Sequence, residues 1–311
     1  MNILEKIKKI SKENGDRIAV KSDDSCLSYG QLDAYSDRLA AWIYRNYGDT
    51  KTPVIVYGHK NPYMIVCFLA CVKAGKAYCP QDISIPDTRV EATVECVEPE
   101  VIFQVEGDIT LEDENVINLN KIKEIIEKEE ESAKVENWVK PEETYYIIFT
   151  SGGTGKPKGV QITFECLNNY LDWSVTLCGG VKENEILNFG NQAPFSFDLS
   201  VMDLYTCLAL GGTLHTLTKK MQEDYNAMFN HFEEANLNVW VSTPSFADMC
   251  LADKKFCSTM MPNLKVFLFC GEVLTTSTTK KLQERFPNVK IINTYGPTES
   301  TVAVSDVLIT P

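Results

Sequence analysis

Four glycines fall within the nine residues Ser151 to Gly159, in the run Thr150-Ser151-Gly152-Gly153-Thr154-Gly155-Lys156-Pro157-Lys158-Gly159-Val160. Glycine leaves backbone N–H groups uncovered, and successive uncovered N–H groups form nests that bind anions. The hydroxyls of Thr150, Ser151 and Thr154 add donors, while Lys156 and Lys158 add positive charge, a set suited to a polyphosphate. The spacing is not that of a P-loop, which needs Lys and then Ser or Thr after its second glycine. A bare glycine cluster is more often a flexible turn. Here the apolar run Tyr145–Thr150 leads in and Pro157 restricts the exit, which favours a fixed cradle. A second polar group, Asn293-Thr294-Tyr295-Gly296-Pro297-Thr298-Glu299, follows a strand-like run; on its own spacing it is a Gly-Pro turn with a carboxylate. In Phe197-Asp198-Leu199-Ser200 a carboxylate heads an apolar helical run, either as helix cap or as partner of a cation in a closed pocket.

These residues need elements that hold them at strand ends. Val54–Gly58 reads as a strand, followed by a helix with Asn61 as cap, Pro62 in its first turn and Gly75 past its end. Val101–Val105, Tyr145–Thr150, Ile186–Phe189, Val239–Ser242, Val266–Cys270 and Lys290–Asn293 are further strand candidates. Leu199–Leu210, Tyr225–Ala235, Ser245–Ala252 and Ser277–Phe286 read as helices. Such alternation predicts an α/β fold, with parallel sheets covered by helices on both faces. The dense acidic run Glu124–Glu131 is expected to be a solvated helix end leading into a long surface connection toward Tyr145.

A chain of 311 residues holds one large or two medium domains, and 44% hydrophobic with 23% charged residues is ordinary for a globular protein. A net charge of −13 argues against a nucleic-acid partner, because phosphate contacts need a basic face. It says little about any one cleft. No apolar run approaches the ~18 residues of a membrane span, and Met1–Lys12 is charged and amphipathic, unlike a secretory leader. The 11 cysteines are scattered, odd in number and without a C-x-x-C pair. Most sit in apolar runs and are expected to be small buried hydrophobes in the cytoplasm. His59, His215 and His231 make no triad or metal spacing with them and are expected to be structural.

The run Tyr146–Val160 (YIIFTSGGTGKPKGV) resembles the signature loop of the adenylate-forming superfamily, which includes acyl-CoA synthetases, luciferases and peptide-synthetase adenylation domains. Gly153 stands where that family usually has Ser or Thr, which removes one hydroxyl from the grip on the β- and γ-phosphates. Asn293–Glu299 is similar to the family's adenine and α-phosphate motif, and Leu27–Ala40 and Val72–Asp82 match its early structural motifs. The resemblance spans nearly the whole chain. It implies two doubly wound sheet subdomains with helices on both faces: 51–184 with the phosphate loop, and 1–50 with 185–311 carrying the amino-acid pocket and adenine motif. It implies ATP held by Thr150, Ser151, Gly152, Thr154, Lys158, Asn293, Thr294, Tyr295, Gly296, Pro297 and Thr298. Within that set Tyr295 stacks on adenine and Thr298 contacts the α-phosphate, and Mg2+ is held by Glu299 and Thr154.

Phe197–Ser200 resembles the F-D-x-S element of amino-acid-activating members, in which Asp198 pairs with the substrate's α-ammonium; Asp203 on the same helix has no comparable role. Gln192–Leu204, Ser242–Cys250, Phe267–Val273 and Tyr57-Gly58-His59 resemble the branch that loads D-alanine onto a carrier protein. That likeness implies that Cys270 lines a tight pocket favouring the D enantiomer and that Val302 contacts the alanine. It also implies a phosphopantetheinylated carrier protein as partner, feeding D-alanine to teichoic acids. The alternatives are a peptide-synthetase adenylation domain for another small amino acid, or a non-catalytic nucleotide-binding fragment. The family's barrel and mobile C-terminal domain, with a ribose-binding Asp, a phosphate-binding Arg and the catalytic Lys, have no match here. A shortened N-terminal part, with weak ATP binding and little adenylation of its own, is therefore expected.

Overall fold

The computed structural model describes residues 1–23, 25–108, 115–151, 157–180 and 185–310. The chain opens with α1 (Ile3–Glu13), β1 (Ile18–Lys21), β2 (Cys26–Ser28) and α2 (Tyr29–Tyr47). Next come β3 (Val54–Gly58), α3 (Tyr63–Lys73), β4 (Tyr78–Asp82), α4 (Asp87–Val97), β5 (Ile102–Gln104), β6 (Val116–Asn118) and α5 (Leu119–Lys128). β7 (Thr144–Ser151) and β8 (Pro157–Thr163) pair antiparallel and lead into α6 (Phe164–Ser174). The remainder holds β9 (Asn188–Asn191), α7 (Leu199–Leu210), β10 (Thr213–Thr216), α8 (Lys219–Glu223) and α9 (Tyr225–Ala235). It continues through β11 (Val239–Ser242), α10 (Pro244–Leu251), β12 (Val266–Phe269), α11 (Thr276–Arg285), β13 (Lys290–Tyr295) and β14 (Ser305–Ile309).

Two sheets result. A six-stranded sheet in the order β6-β5-β3-β4-β7-β8 is parallel except at the β8 edge. An eight-stranded sheet in the order β14-β13-β12-β11-β9-β10-β1-β2 is parallel except at β14 and β2. Successive side chains of a strand point to opposite faces, so a strand covered on both sides is apolar throughout. In β12, Val266 and Leu268 enter one core while Phe267 and Phe269 enter another.

The helices that are buried almost all round sit between the sheets. From Met64 to Val72 no side chain of α3 is more than 1% exposed, and α7 is buried from Leu199 to Ala209. With α1, α2 and α6 they form a middle layer, and one continuous apolar cluster takes in residues of both sheets. An aromatic cluster including Phe232, Trp240, Phe256, Phe267 and Phe286 lies on the opposite face of the eight-stranded sheet. The α3 residue Lys73 is buried too, and its Nζ lies 2.7 Å from carboxylate oxygens of both Asp33 and Asp37 on α2. A buried ammonium persists only when paired in this way.

The expected strands at Val54–Gly58 and Val239–Ser242, and the helices at Leu199–Leu210 and Tyr225–Ala235, have those bounds. The cap position of α3 falls on Pro62 rather than on the expected Asn61, whose Oδ1 accepts from Tyr63 N at 3.0 Å from one residue further out. The strand expected at Ile186–Phe189 is β9, which starts at Asn188; Ile186 is exposed. The acidic run is a largely solvated helix end as expected, with Glu127, Glu130 and Glu131 exposed; Glu129 alone departs, its side chain only 4% exposed and joined to Arg45 of α2. Most cysteines are buried, and all are free thiols. Among the described residues no helix is long and apolar enough to cross a membrane.

Candidate active site

In open α/β sheets, ligands bind where the loops leave the carboxyl ends of parallel strands. The residues singled out in the sequence leave β7, β9, β12 and β13 at those ends. β7 and β8 hold Thr150 opposite Lys158 and Ser151 opposite Pro157, so the glycine-rich segment joins two strands of a hairpin. Lys158 Nζ lies 2.7 Å from Glu299 Oε1, linking the hairpin to the turn after β13. That hydrogen bond and the lysine charge hold the Glu299 carboxyl below the usual range.

The turn itself is tight. A Cβ on Gly296 would stand 2.5 Å from Ala303 Cα and 3.0 Å from the Val302 carbonyl oxygen, so no side chain fits there. Thr301 and Val302 have φ of +61° and +68°, a region in which β-branched residues are strained and which clusters at functional sites. Val304 N donates to Tyr295 O at 2.9 Å and closes the turn onto β14. Tyr295, at the end of β13, is 73% exposed, and its open ring face suits stacking on a base.

Asp198 begins α7 with helical dihedrals and no side-chain capping hydrogen bond, so helix capping does not tie up its carboxylate. Burial pushes its carboxyl up; the Thr298 side chain lies close enough to hold it partly down, and the Glu299 charge adds to the rise. Cys270, buried just past β12, has Sγ 3.8 Å from the Val302 carbonyl oxygen. Burial raises the Cys270 thiol, with Thr294 opposing and the Asp198 charge reinforcing. Asp198, Cys270, Val302 and Thr298 thus form one small group, able to receive a cation beside Asp198 and to limit its side chain.

The structure joins Lys158 to Glu299 and Cys270 to Val302, and it brings Asp198 near Thr298 and Cys270. Thr294 is buried and its hydroxyl donates to the Phe269 carbonyl at 2.9 Å, so its side chain braces the strands. Among the described residues, Asn293 Oδ1 is buried without a hydrogen-bond partner. Gly152, Gly153, Thr154, Gly155 and Lys156 lie outside the described residues. Among the described residues no cluster of three His, Cys, Asp or Glu forms a metal site. Glu299 offers one hard oxygen, which fits Mg2+ bound chiefly by phosphate oxygens and water.

Sequence reasoning passed over Tyr146 and Tyr170. Among the described residues both hydroxyls are buried without a hydrogen-bond partner, and both are pushed up by burial first and by the charge of Asp198 among lesser causes. Nothing in their local sequence marks them, because their facing depends on how β7 and α6 meet α7.

The fold and this site define an adenylate-forming type of architecture, and the family profile described as AMP-binding enzyme matches residues 7–310: the chain belongs to that family. It is 44% identical over 311 residues to the D-alanine–D-alanyl carrier protein ligase of Bacillus anthracis, covering all of this chain and 61% of that protein. Against the ligase of the same name from Bacillus cytotoxicus, identity is 45% over 313 residues, again 100% of this chain and 61% of the relative. The chain thus spans about three fifths of these relatives' length. Among solved structures it is similar to the nonribosomal peptide synthetase FmoA3, with TM-score 0.86 and 18% identity over 100% of this chain and 33% of that one. It is also similar to VinN in complex with L-aspartate, with TM-score 0.85 and 16% identity over 98% and 78% of the respective chains. At such identity these two likenesses speak for the fold.

Proposed function

We propose that this chain is the nucleotide- and amino-acid-binding part of a cytoplasmic, ATP-dependent ligase that activates D-alanine and passes it to the phosphopantetheine thiol of a carrier protein, for teichoic acid D-alanylation. Two subdomains, 51–184 and 1–50 with 185–311, would share the work, in keeping with strand membership of the two sheets. The observation that carries the reading is Asp198: a half-buried carboxylate without a capping role, set against Cys270 and Val302. The 44% identity to relatives named for this reaction supports it.

In the proposed reaction one oxygen of the alanine carboxylate attacks the α-phosphorus of ATP in line. The bond to the bridging oxygen breaks, pyrophosphate leaves with that electron pair, and alanyl-adenylate remains. Asp198 holds the α-ammonium and so orients the carboxylate; positioning of this kind accounts for much of the rate of phosphoryl and nucleotidyl transfers. Cys270 and Val302 close the pocket around the methyl group. Tyr295 stacks on adenine, and the backbone of Asn293, Gly296 and Pro297 shapes its seat. Thr298 lies at the α-phosphate, while Thr150, Ser151, Gly152, Thr154 and Lys158 hold the remaining phosphates. Mg2+, held through Glu299 and Thr154, would neutralise phosphate charge.

Amino-acid-dependent exchange of pyrophosphate into ATP tests this, run with this chain continued by the remaining two fifths of the Bacillus anthracis relative. D-alanine should exceed L-alanine, glycine and D-serine. A preference for another amino acid would favour a peptide-synthetase-like role, and no exchange with any amino acid would reject activation altogether.

A further inference from the structure

Lys60 follows β3 and is fully buried, yet no carboxylate lies within ion-pair distance of its ammonium among the described residues. Its Nζ donates to Asn191 Oδ1 at 2.5 Å and to the Ala193 carbonyl, both belonging to the other sheet and its outgoing segment. Nζ also stands 4.5 Å from the centre of the Phe195 ring. Asn191 Nδ2 in turn donates to Asp203 Oδ1 at 2.8 Å. Asp203 is fully buried on α7, so the lysine's charge is answered at one remove through an amide bridge. Burial lowers Lys60 and raises Asp203, and each charge opposes the other's shift.

All these contacts fall on one connector. Residues 191–198 link β9 to α7 and end at Asp198, and Lys60 touches the connector at Asn191, Ala193 and Phe195. Through Asn191 it also reaches the helix that Asp198 begins. A buried charge contributes little net stability compared with an apolar residue of similar volume, but its hydrogen bonds are directional. A lysine placed here therefore specifies a position more than it strengthens the fold.

We propose that Lys60 is a positioning residue: reaching across from the six-stranded sheet, its ammonium clamps the 191–198 connector and sets where Asp198 stands. This rests on reading Asp198 as the partner of the substrate's ammonium. The test uses Lys60→Met and the double variant Lys60→Met with Asp203→Asn, which leaves no unpaired buried charge and carries the test where the single variant does not fold. Hydrogen exchange reports on the 192–199 amides, and calorimetry measures binding of AMP and of a D-alanyl sulfamoyl-adenosine, a stable mimic of the adenylate.

Both variants should exchange the 192–199 amides at least tenfold faster with 266–270 unchanged, and lose at least tenfold in affinity for the mimic while binding AMP within twofold. Unchanged exchange in the connector would overturn the clamp. So would equal loss of AMP and mimic, which indicates a merely structural role, or recovered mimic binding in the double variant, which would blame the charge of Asp203. Should the unaltered chain bind mimic no better than AMP while the connector loosens in both variants, the clamp stands and the reading of Asp198 falls.

Discussion

Lys158 and Glu299 are 141 positions apart in sequence, yet their charged groups meet at 2.7 Å, joining the β7–β8 hairpin to the turn after β13. On the proposed reading, this contact holds the lysine where a polyphosphate would lie and the glutamate where a cation beside it would lie.

Both members of this pair are exposed, and exposed pairs add little to folding. Lys158→Ala should therefore leave the melting temperature unchanged within error. Its effect belongs to nucleotide binding, where loss of a charge-assisted hydrogen bond to phosphate costs about tenfold or more in affinity. Calorimetry with ATP checks it; a lower melting temperature with unchanged ATP affinity would contradict the role.

Asp198→Asn should weaken D-alanine-dependent exchange about a hundredfold while leaving nucleotide affinity nearly unchanged, since a charge-assisted pair in a sheltered pocket is lost. Because burial raises the Asp198 carboxyl, amino-acid affinity should fall with acid at a pH above the ordinary aspartate value of about 3.9. The carboxyl must be ionised to hold an ammonium, so the loss runs downward in pH. The Asn variant should lack that acid limb.

Gly296→Ala places a methyl against backbone, 2.5 Å from Ala303 Cα. Backbone cannot rotate away as a side chain can, so the turn must open, at a cost of about 1–3 kcal/mol. Denaturant unfolding should register this, and nucleotide affinity should fall with it because Tyr295 and Thr298 move together with the turn.

Burial lowers His215 from 6.5 to about 4, helped by the charges of His231 and Lys21. Between those values the unfolded chain binds a proton that the folded chain refuses, so stability falls as pH drops from 6.5 toward 4. Between pH 7 and pH 5 the loss from this one group is about 2 kcal/mol. His215→Gln should remove that part of the pH dependence in urea unfolding, leaving the part due to His231.

Much of the scaffold is legible locally. α7 is a mostly apolar run that ends at Gly211, whose left-handed backbone stops the helix, and β11 and β12 are short apolar runs between polar breaks. β1 and β2, of four and three residues, carry too few positions to show a period. For the site, local sequence left Asp198 open between capping and binding; family likeness pointed to binding, and the missing cap contact removes the first reading. Tyr170 and Lys60 were not legible, because what they touch is decided by contacts between remote elements. Glu129 misled for the same reason: it looks as solvated as its charge run until Arg45 arrives from α2.

The almost fully buried α3 and α7 lie in a single core shared by both sheets. Neither sheet can therefore lose its helical layer without exposing the other's, and a cut near residue 184 should yield two fragments that do not fold apart. Melting should be one cooperative step. A catalytic cycle built on this chain would have to draw its large motions from elements outside that shared core, leaving the binding cleft as the stationary member against which they work.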